Sequence, residues 1–209
     1  MQDTAGTDRA EHWAEVYTRS GDTQVSWFST EPVCSLELLD AGGADPGLPA
    51  IDVGAGASRL VDALLARGFV DVTALDVSDD GLAHTRERLG EMAGQVRWVV
   101  ADVLDWVPDR RFGLWHDRAV FHFLTDPADR RRYRELLKSA LAPGALVVVG
   151  TFAADGPEFC SGLPTARYSP DGLADELGAG LRVVARRREE HRTPSGVVQP
   201  FTWLALRRR

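Results

Sequence analysis

The chain has 209 residues, 44% hydrophobic and 26% charged, and a formal net charge of −7. That size and composition predict one globular domain, and the acidic balance argues against nucleic-acid binding, which needs a basic footprint. No apolar run reaches the roughly 18 residues of a membrane span, and two cysteines, Cys34 and Cys160, make neither a disulfide framework nor a zinc site. With no apolar signal core at the N-terminus, the expectation is a cytoplasmic protein, monomer or homodimer, with no metal and no membrane partner.

Residues 1–8 read as disordered. Residues 9–18 have helical spacing in Trp13, Val16 and Tyr17. Residues 20–30 form a loop carrying Val25, Trp27 and Phe28, and residues 32–39 a short helix opened by Pro32. Together residues 1–45 make a helical cap on an α/β core of residues 46–209. Such a cap can also close over a ligand, which makes Tyr17, Trp27 and Phe28 candidate substrate contacts.

Residues 50–58, Ala-Ile-Asp-Val-Gly-Ala-Gly-Ala-Ser, read as an apolar strand entering a glycine turn. Gly54 and Gly56 carry no Cβ, so the backbone can turn tightly and approach a ligand. A helix over residues 59–67 follows, with Leu60, Leu64 and Leu65 on one face and its first amides toward the same space. Residues 70–75 form a second strand. Asp76 comes next, 22 residues after Gly54, where nucleotide-binding α/β folds hold ribose hydroxyls. Ser78 caps the next helix, with Asp79 and Asp80 in its first turn.

Residues 95–100 are a third strand, followed by Asp102 and Val103. Residues 113–120 are a fourth, with His116 inside it and His122 just past it, at the edge where open α/β sheets bind ligands. His122 is the candidate catalytic base, expected to titrate near neutrality. Asp126-Pro127 starts a helix striped by Tyr133, Leu136, Leu137 and Leu141, and Ala142-Pro143-Gly144 stops it. Residues 145–152 read as a central parallel strand. An irregular loop over residues 153–169 carries Cys160, Arg167 and Tyr168 as candidate substrate contacts, before a helix over residues 170–177 with Ser169 as its candidate cap. Strands at residues 181–190 and 197–206 are joined so closely that they pair antiparallel, with His191 and Arg192 near the turn.

The dinucleotide pattern Gly-x-Gly-x-x-Gly is not met, because Arg59 stands at the third small position, which disfavours a nicotinamide dehydrogenase. Asp52, two residues before Gly54, suits a cationic, phosphate-free ligand. Asp52-x-Gly54-x-Gly56 with Asp76 resembles the cofactor motifs of the class I S-adenosylmethionine (SAM)-dependent methyltransferases, whose fuller motif has a glycine where this chain has Ser58. The Leu141-Ala-Pro-Gly144 turn and the final hairpin are similar to that family too, so the resemblance covers residues 50–207. It implies a Rossmann-like sheet, mostly parallel with an antiparallel C-terminal strand. It also implies SAM as cofactor, held by Asp52, Gly54, Gly56, Asp76, Val77, Asp102, Val103 and Asp117, with Asp102 at the adenine amino group.

A narrower resemblance lies in His12-Trp13, Tyr17, Val25-Ser-Trp-Phe28, the stretch 68–78 and Asp117-Arg-Ala119. These are similar to small methyltransferases related to eukaryotic protein-lysine methyltransferases, which have Asp-Lys-Gly at the last position. The expected reaction is methyl transfer to a small-molecule nucleophile. A protein lysine as acceptor, and a non-catalytic SAM-binding protein, are the alternatives. Methyl transfer needs alignment and exclusion of water, and needs a base only when the acceptor arrives protonated.

Overall fold

The computed structural model describes residues 4–209, with side chains from Arg9 onward except that of Ser20. The first helix, α1 (Thr4–Ser20), starts earlier than the spacing of its aromatic residues predicts. Residues 4–8 are therefore helical rather than disordered, and residues 1–3 lie outside the described residues. A second helix, α2 (Val33–Gly42), precedes the first strand.

Five strands, β1 (Ala50–Val53), β2 (Val72–Asp76), β3 (Val96–Val100), β4 (Phe112–Arg118) and β5 (Leu141–Phe152), run parallel in the order β3-β2-β1-β4-β5. Two further two-residue strands, β6 (Phe159–Cys160) and β7 (Leu163–Pro164), form a small hairpin in the loop that reads as irregular in sequence. The last strands, β8 (Leu181–Arg192) and β9 (Val198–Arg208), complete a seven-stranded sheet in which β9 lies between β5 and β8, antiparallel to both.

Strand order reverses at the β1/β4 pair, the topological switch point where such sheets bind ligands. β1, β2 and residues 146–152 of β5 are buried along their whole length, which explains their unbroken apolar sequence. The edge strand β8 instead carries Arg186, Arg187, Arg188, Glu189 and Glu190, charges that discourage pairing with another chain.

Helices α3 (Leu60–Ala66) and α4 (Asp79–Leu89) pack with α2 on one face of the sheet, through Leu38, Leu64 and Leu82. On the other face lie α5 (Pro127–Ala140) and α6 (Pro170–Leu177), through Tyr133, Leu137 and Leu173. The caps follow the sequence: Ser78 accepts from Gly81 N–H, Asp126 from Ala128 N–H and Ser169 from Gly172 N–H.

Several strand limits differ from expectation, three of them for a visible reason. β2 begins at Val72, because Val70 is 75% exposed in the turn before it. β4 stops at Arg118, because Ala119 takes a left-handed φ of 66°. β5 starts at Leu141, whose pairing with Phe112 is admitted by a register shift between Phe112 and Leu114.

Candidate active site at the switch point

A cleft with about 900 Å³ of atom-free space, counted to its open mouth, lies over the carboxyl ends of the central strands under α1. One half is bordered by Gly54, Asp76, Val77, Asp102 and Val103. Asp76 accepts a hydrogen bond from Ser78 N–H at 2.8 Å. Burial pushes its pKa up to about 6, against the opposing pull of the Ser78 and Gly56 amides. Asp102 accepts from Leu104 N–H at 2.8 Å with one oxygen and from Arg9 at 2.8 Å with the other. Arg9 also pairs with Asp129 at 3.0 Å, so it fastens α1 to the rim of the cleft.

The glycine turn is only partly open to this space. Gly54 (φ 69°) borders the cleft, and a Cβ there would lie 2.2 Å from Val120 Cγ2. Gly56 is covered: a Cβ on it would lie 2.1 Å from the Tyr17 hydroxyl. That hydroxyl accepts from Ala57 N–H at 3.4 Å, and Ser58 Oγ accepts from Leu60 N–H at 3.1 Å. The amides expected to face a ligand are thus partly used within the protein.

Asp52 is bonded to His116 Nδ1 at 2.8 Å and to Ser58 Oγ at 3.2 Å, while His116 Nε2 meets Ser35 Oγ at 2.9 Å. It borders a second, smaller cavity together with Phe28, Ser58 and Arg59, so neither Asp52 nor Phe28 reaches the main cleft. Trp27, Gly54 and Arg118 border both spaces. Asp117 also departs from its expected role as a cofactor contact. It is fully buried, lines neither space, and accepts from Val120 N–H, Phe121 N–H and the Tyr133 hydroxyl. Its work is to tie the turn after β4.

The other half of the cleft is bordered by Trp13, Trp27, Phe123, Phe152 and Phe201, with Arg118, His122, Cys160 and Gln199 among them. Trp13 meets Trp27 and Phe123 edge-on, at 5.5 and 5.1 Å between ring centres. Arg118 donates to Trp27 O at 2.7 Å and to His191 Nδ1 at 3.3 Å. Because His191 Nδ1 accepts, its Nε2 carries the proton that is donated to Ser26 O at 2.7 Å.

His122 corrects the expectation of a base titrating near neutrality. Its ring is fully buried against Phe152 and Phe123, with centroids 4.5 Å from each. Burial, and then the charge of Arg118, push its pKa down to about 3. Nδ1 accepts from Phe152 N–H at 3.2 Å, so the neutral ring carries its proton on Nε2. That buried Nε2 has no partner among the described residues.

Cys160 lies in the wall with Sγ 3.9 Å from Ser26 Oγ, and burial pushes the thiol up. Arg167 and Tyr168 border neither space. Arg167 turns outward to Glu158 at 2.9 Å, and Tyr168 packs on Phe121 at 5.7 Å between ring centres. Arg192 is likewise exposed and bonds Gly196 O. Site residues not anticipated include Arg9, Arg118, Gln199 and Phe201. Arg118 stood inside the quoted Asp117-Arg-Ala119, and Gln199 is a buried polar residue in the final strand.

An acid with open acceptor capacity at the end of β2, flanked by apolar residues at the neighbouring strand ends, fits an adenosine. A glycine turn half-covered by Tyr17 leaves no cradle for a pyrophosphate. Fold and site together define a nucleoside-cofactor protein of the Rossmann-like kind.

Residues 50–144 match the family described as "Methyltransferase domain". A trans-aconitate 2-methyltransferase from Sinorhizobium medicae (strain WSM419) is 35% identical over 159 residues, covering 75% of this chain and 57% of that protein. The chain spans about half the length of the curated relatives it matches. The N-methyltransferase NodS from Bradyrhizobium japonicum WM9, in complex with S-adenosylhomocysteine, has a TM-score of 0.72 at 17% identity. That match covers 93% of this chain and 97% of NodS. Burkholderia thailandensis 1,6-didemethyltoxoflavin-N1-methyltransferase has a TM-score of 0.67 at 20% identity, covering 98% of this chain and 86% of that one. At these identities both show the fold. Residues 50–144 thus carry the methyltransferase-domain match, and the fold is that of solved SAM-dependent methyltransferases, two of them holding S-adenosylhomocysteine.

Proposed function

We propose that this protein transfers a methyl group from SAM to a small-molecule nucleophile. The observation that carries this reading is one cleft at the switch point, with Asp76 in one half and an aromatic-walled compartment in the other. When bound, SAM supplies a methyl group on a sulfonium that leaves readily.

The chain's own residues then bind and orient. Asp76 would accept the ribose hydroxyls, and Val77 and Val103 would flank the purine. Gly54, lacking a Cβ, would let the ligand rest against the end of β1. Asp102, already held by Arg9, would meet the adenine end only with its remaining acceptor capacity. Trp13, Trp27, Phe123, Phe152 and Phe201 exclude water from the acceptor end. Alignment of this kind can lower a barrier by about 7–11 kcal/mol. Neither His122, neutral and engaged through Nδ1, nor the protonated Cys160 thiol takes up a proton there at neutral pH.

A protein lysine arrives as an ammonium and needs both a base and an acidic groove. The acceptor end offers the cation of Arg118 instead, which favours the small-molecule reading. Calorimetric titration with S-adenosylhomocysteine, with NADH as control, tests the cofactor. Micromolar binding of the first alone is expected, and binding of neither by a folded sample overturns the proposal. Labelled SAM with cell extract then separates acceptors: label in a protein band favours lysine, and no label anywhere favours a non-catalytic binder.

A further inference from the structure

Resting on the methyltransferase reading above, we propose that the methyl acceptor is a small organic carboxylate and that Arg118 holds it. Arg118 ends β4, on the far side of the switch point from Asp76. A guanidinium has five N–H donors. Two of those on Arg118 meet neutral acceptors, Trp27 O and His191 Nδ1. Those two bonds and the Phe201 ring, 5.5 Å from Cζ, set the orientation of the fork.

Glu189 and Asp52 reach Arg118 through their charge alone, and their hydrogen bonds go to other groups. Glu189 accepts from Trp203 Nε1 at 2.7 Å, and Asp52 is held by His116 and Ser58. Arg118 is therefore a half-buried cation on the cleft whose described hydrogen-bond partners carry no charge.

A second, independent feature sits in the same wall. His122 is fully buried with Nδ1 used by Phe152 N–H, and its Nε2–H is unpartnered among the described residues. A buried donor without a partner is unfavourable, and an acceptor atom reaching it from the ligand would satisfy it. Arg118 is close enough for its charge to depress His122 further. The acceptor end thus places a cation beside a neutral, buried imidazole, with no group among the described residues that accepts a proton at neutral pH.

This combination selects among nucleophiles. An amine arrives positively charged, is repelled by Arg118, and must lose a proton that nothing there accepts. Alcohols and most thiols are protonated at neutral pH. A carboxylate is ionised, pairs with a guanidinium in fork geometry, and brings its own lone pair. Its oxygen forms the new O–CH3 bond while the C–S bond breaks and its electron pair returns to sulfur. The carboxylate and sulfonium charges cancel, no proton is released, and the products are a methyl ester and S-adenosylhomocysteine.

SAM has a carboxylate of its own, and Arg118 also borders the smaller cavity beside Gly54. The experiment must separate these two sources. The full chain is titrated with S-adenosylhomocysteine, then incubated with methyl-labelled SAM and the small-molecule fraction of a cell extract. Labelled products are treated with mild alkali, which frees the label of a methyl ester as volatile methanol and leaves N-methyl and S-methyl groups intact. Release of the label is expected. Retention of the label overturns the carboxylate assignment alone, whereas no labelled small molecule from a protein that binds S-adenosylhomocysteine overturns the small-molecule reading with it. Failure to bind S-adenosylhomocysteine at all overturns the methyltransferase reading as well.

The Arg118→Gln variant supplies a binding readout. Its affinity for S-adenosylhomocysteine should stay within about twofold of wild type, while its KM for the labelled acid rises about tenfold or more. Arg118→Lys, which keeps the charge and guards against a folding defect, should recover part of that loss. A fall in S-adenosylhomocysteine affinity with an unchanged KM assigns Arg118 to the cofactor's carboxylate and overturns the proposal.

Discussion

Asp76 is poised between two protonation states, and that has a measurable consequence. Burial raises its pKa to about 6, and only the ionised form is free to accept two hydroxyls at once. Affinity for S-adenosylhomocysteine should therefore rise as pH goes from about 5 to 7, because the proton competes with the ligand. Asp76→Asn should abolish that rise and weaken binding by about tenfold or more; equal calorimetric affinity in the variant would reduce Asp76 to packing. His122 behaves in the opposite way. With its pKa near 3, it stays neutral through the whole range in which an ordinary imidazole titrates. The turnover profile of wild type should show no limb near pH 6.5 that His122→Phe removes. Such a limb would restore His122 as a base. Residue type and position alone suggest a base at His122; the hydrogen bond to Phe152 N–H that sets its tautomer comes from a residue 30 positions away.

At the scale of elements, the glycine turn between β1 and α3 is the most constrained feature of the site. Gly54 combines a left-handed φ with a Cβ direction that points into Val120. Gly54→Ala should destabilise the protein by about 1–3 kcal/mol in urea denaturation, through strain and overpacking together. Adding Val120→Ala should recover the packing part and leave the φ strain; a single variant that unfolds like wild type would refute this account of the turn. The turn was legible in sequence because glycine's freedom is local, as were the helix starts at Ser78, Asp126-Pro127 and Ser169. The acceptor end was not. It is assembled by Ser26, Arg118 and His191, with Ser26 and His191 separated by 165 positions, and no local pattern announces such a meeting. Asp117 misled for the converse reason: its place after β4 suits a ligand, but the turn and Tyr133 absorb its acceptors.

For the whole molecule, buried groups of both signs set the response to acid. Asp76 and Asp117 are raised to about 6, so their contribution to stability is full below the unfolded value of about 3.9 and is lost as pH rises through 6. His122 and His191 are lowered, so theirs is full above about 6.5 and is lost as pH falls, toward about 3 for His122. The two sets oppose one another across about pH 4–6 and flatten the curve. His122→Phe removes one of them, so its melting temperature should gain on wild type as pH drops below about 6.5. Parallel curves would mean that His122 titrates alike in folded and unfolded chains.

β9 comes last of the strands in chain order and yet has a neighbour on each side. During synthesis β5 and β8 emerge before the strand that joins them, and the buried apolar stretch 146–152 waits with one edge bare. A chain stopped before residue 198 therefore bares an apolar strand edge and should aggregate under conditions in which the longer chain stays in solution, which light scattering would read.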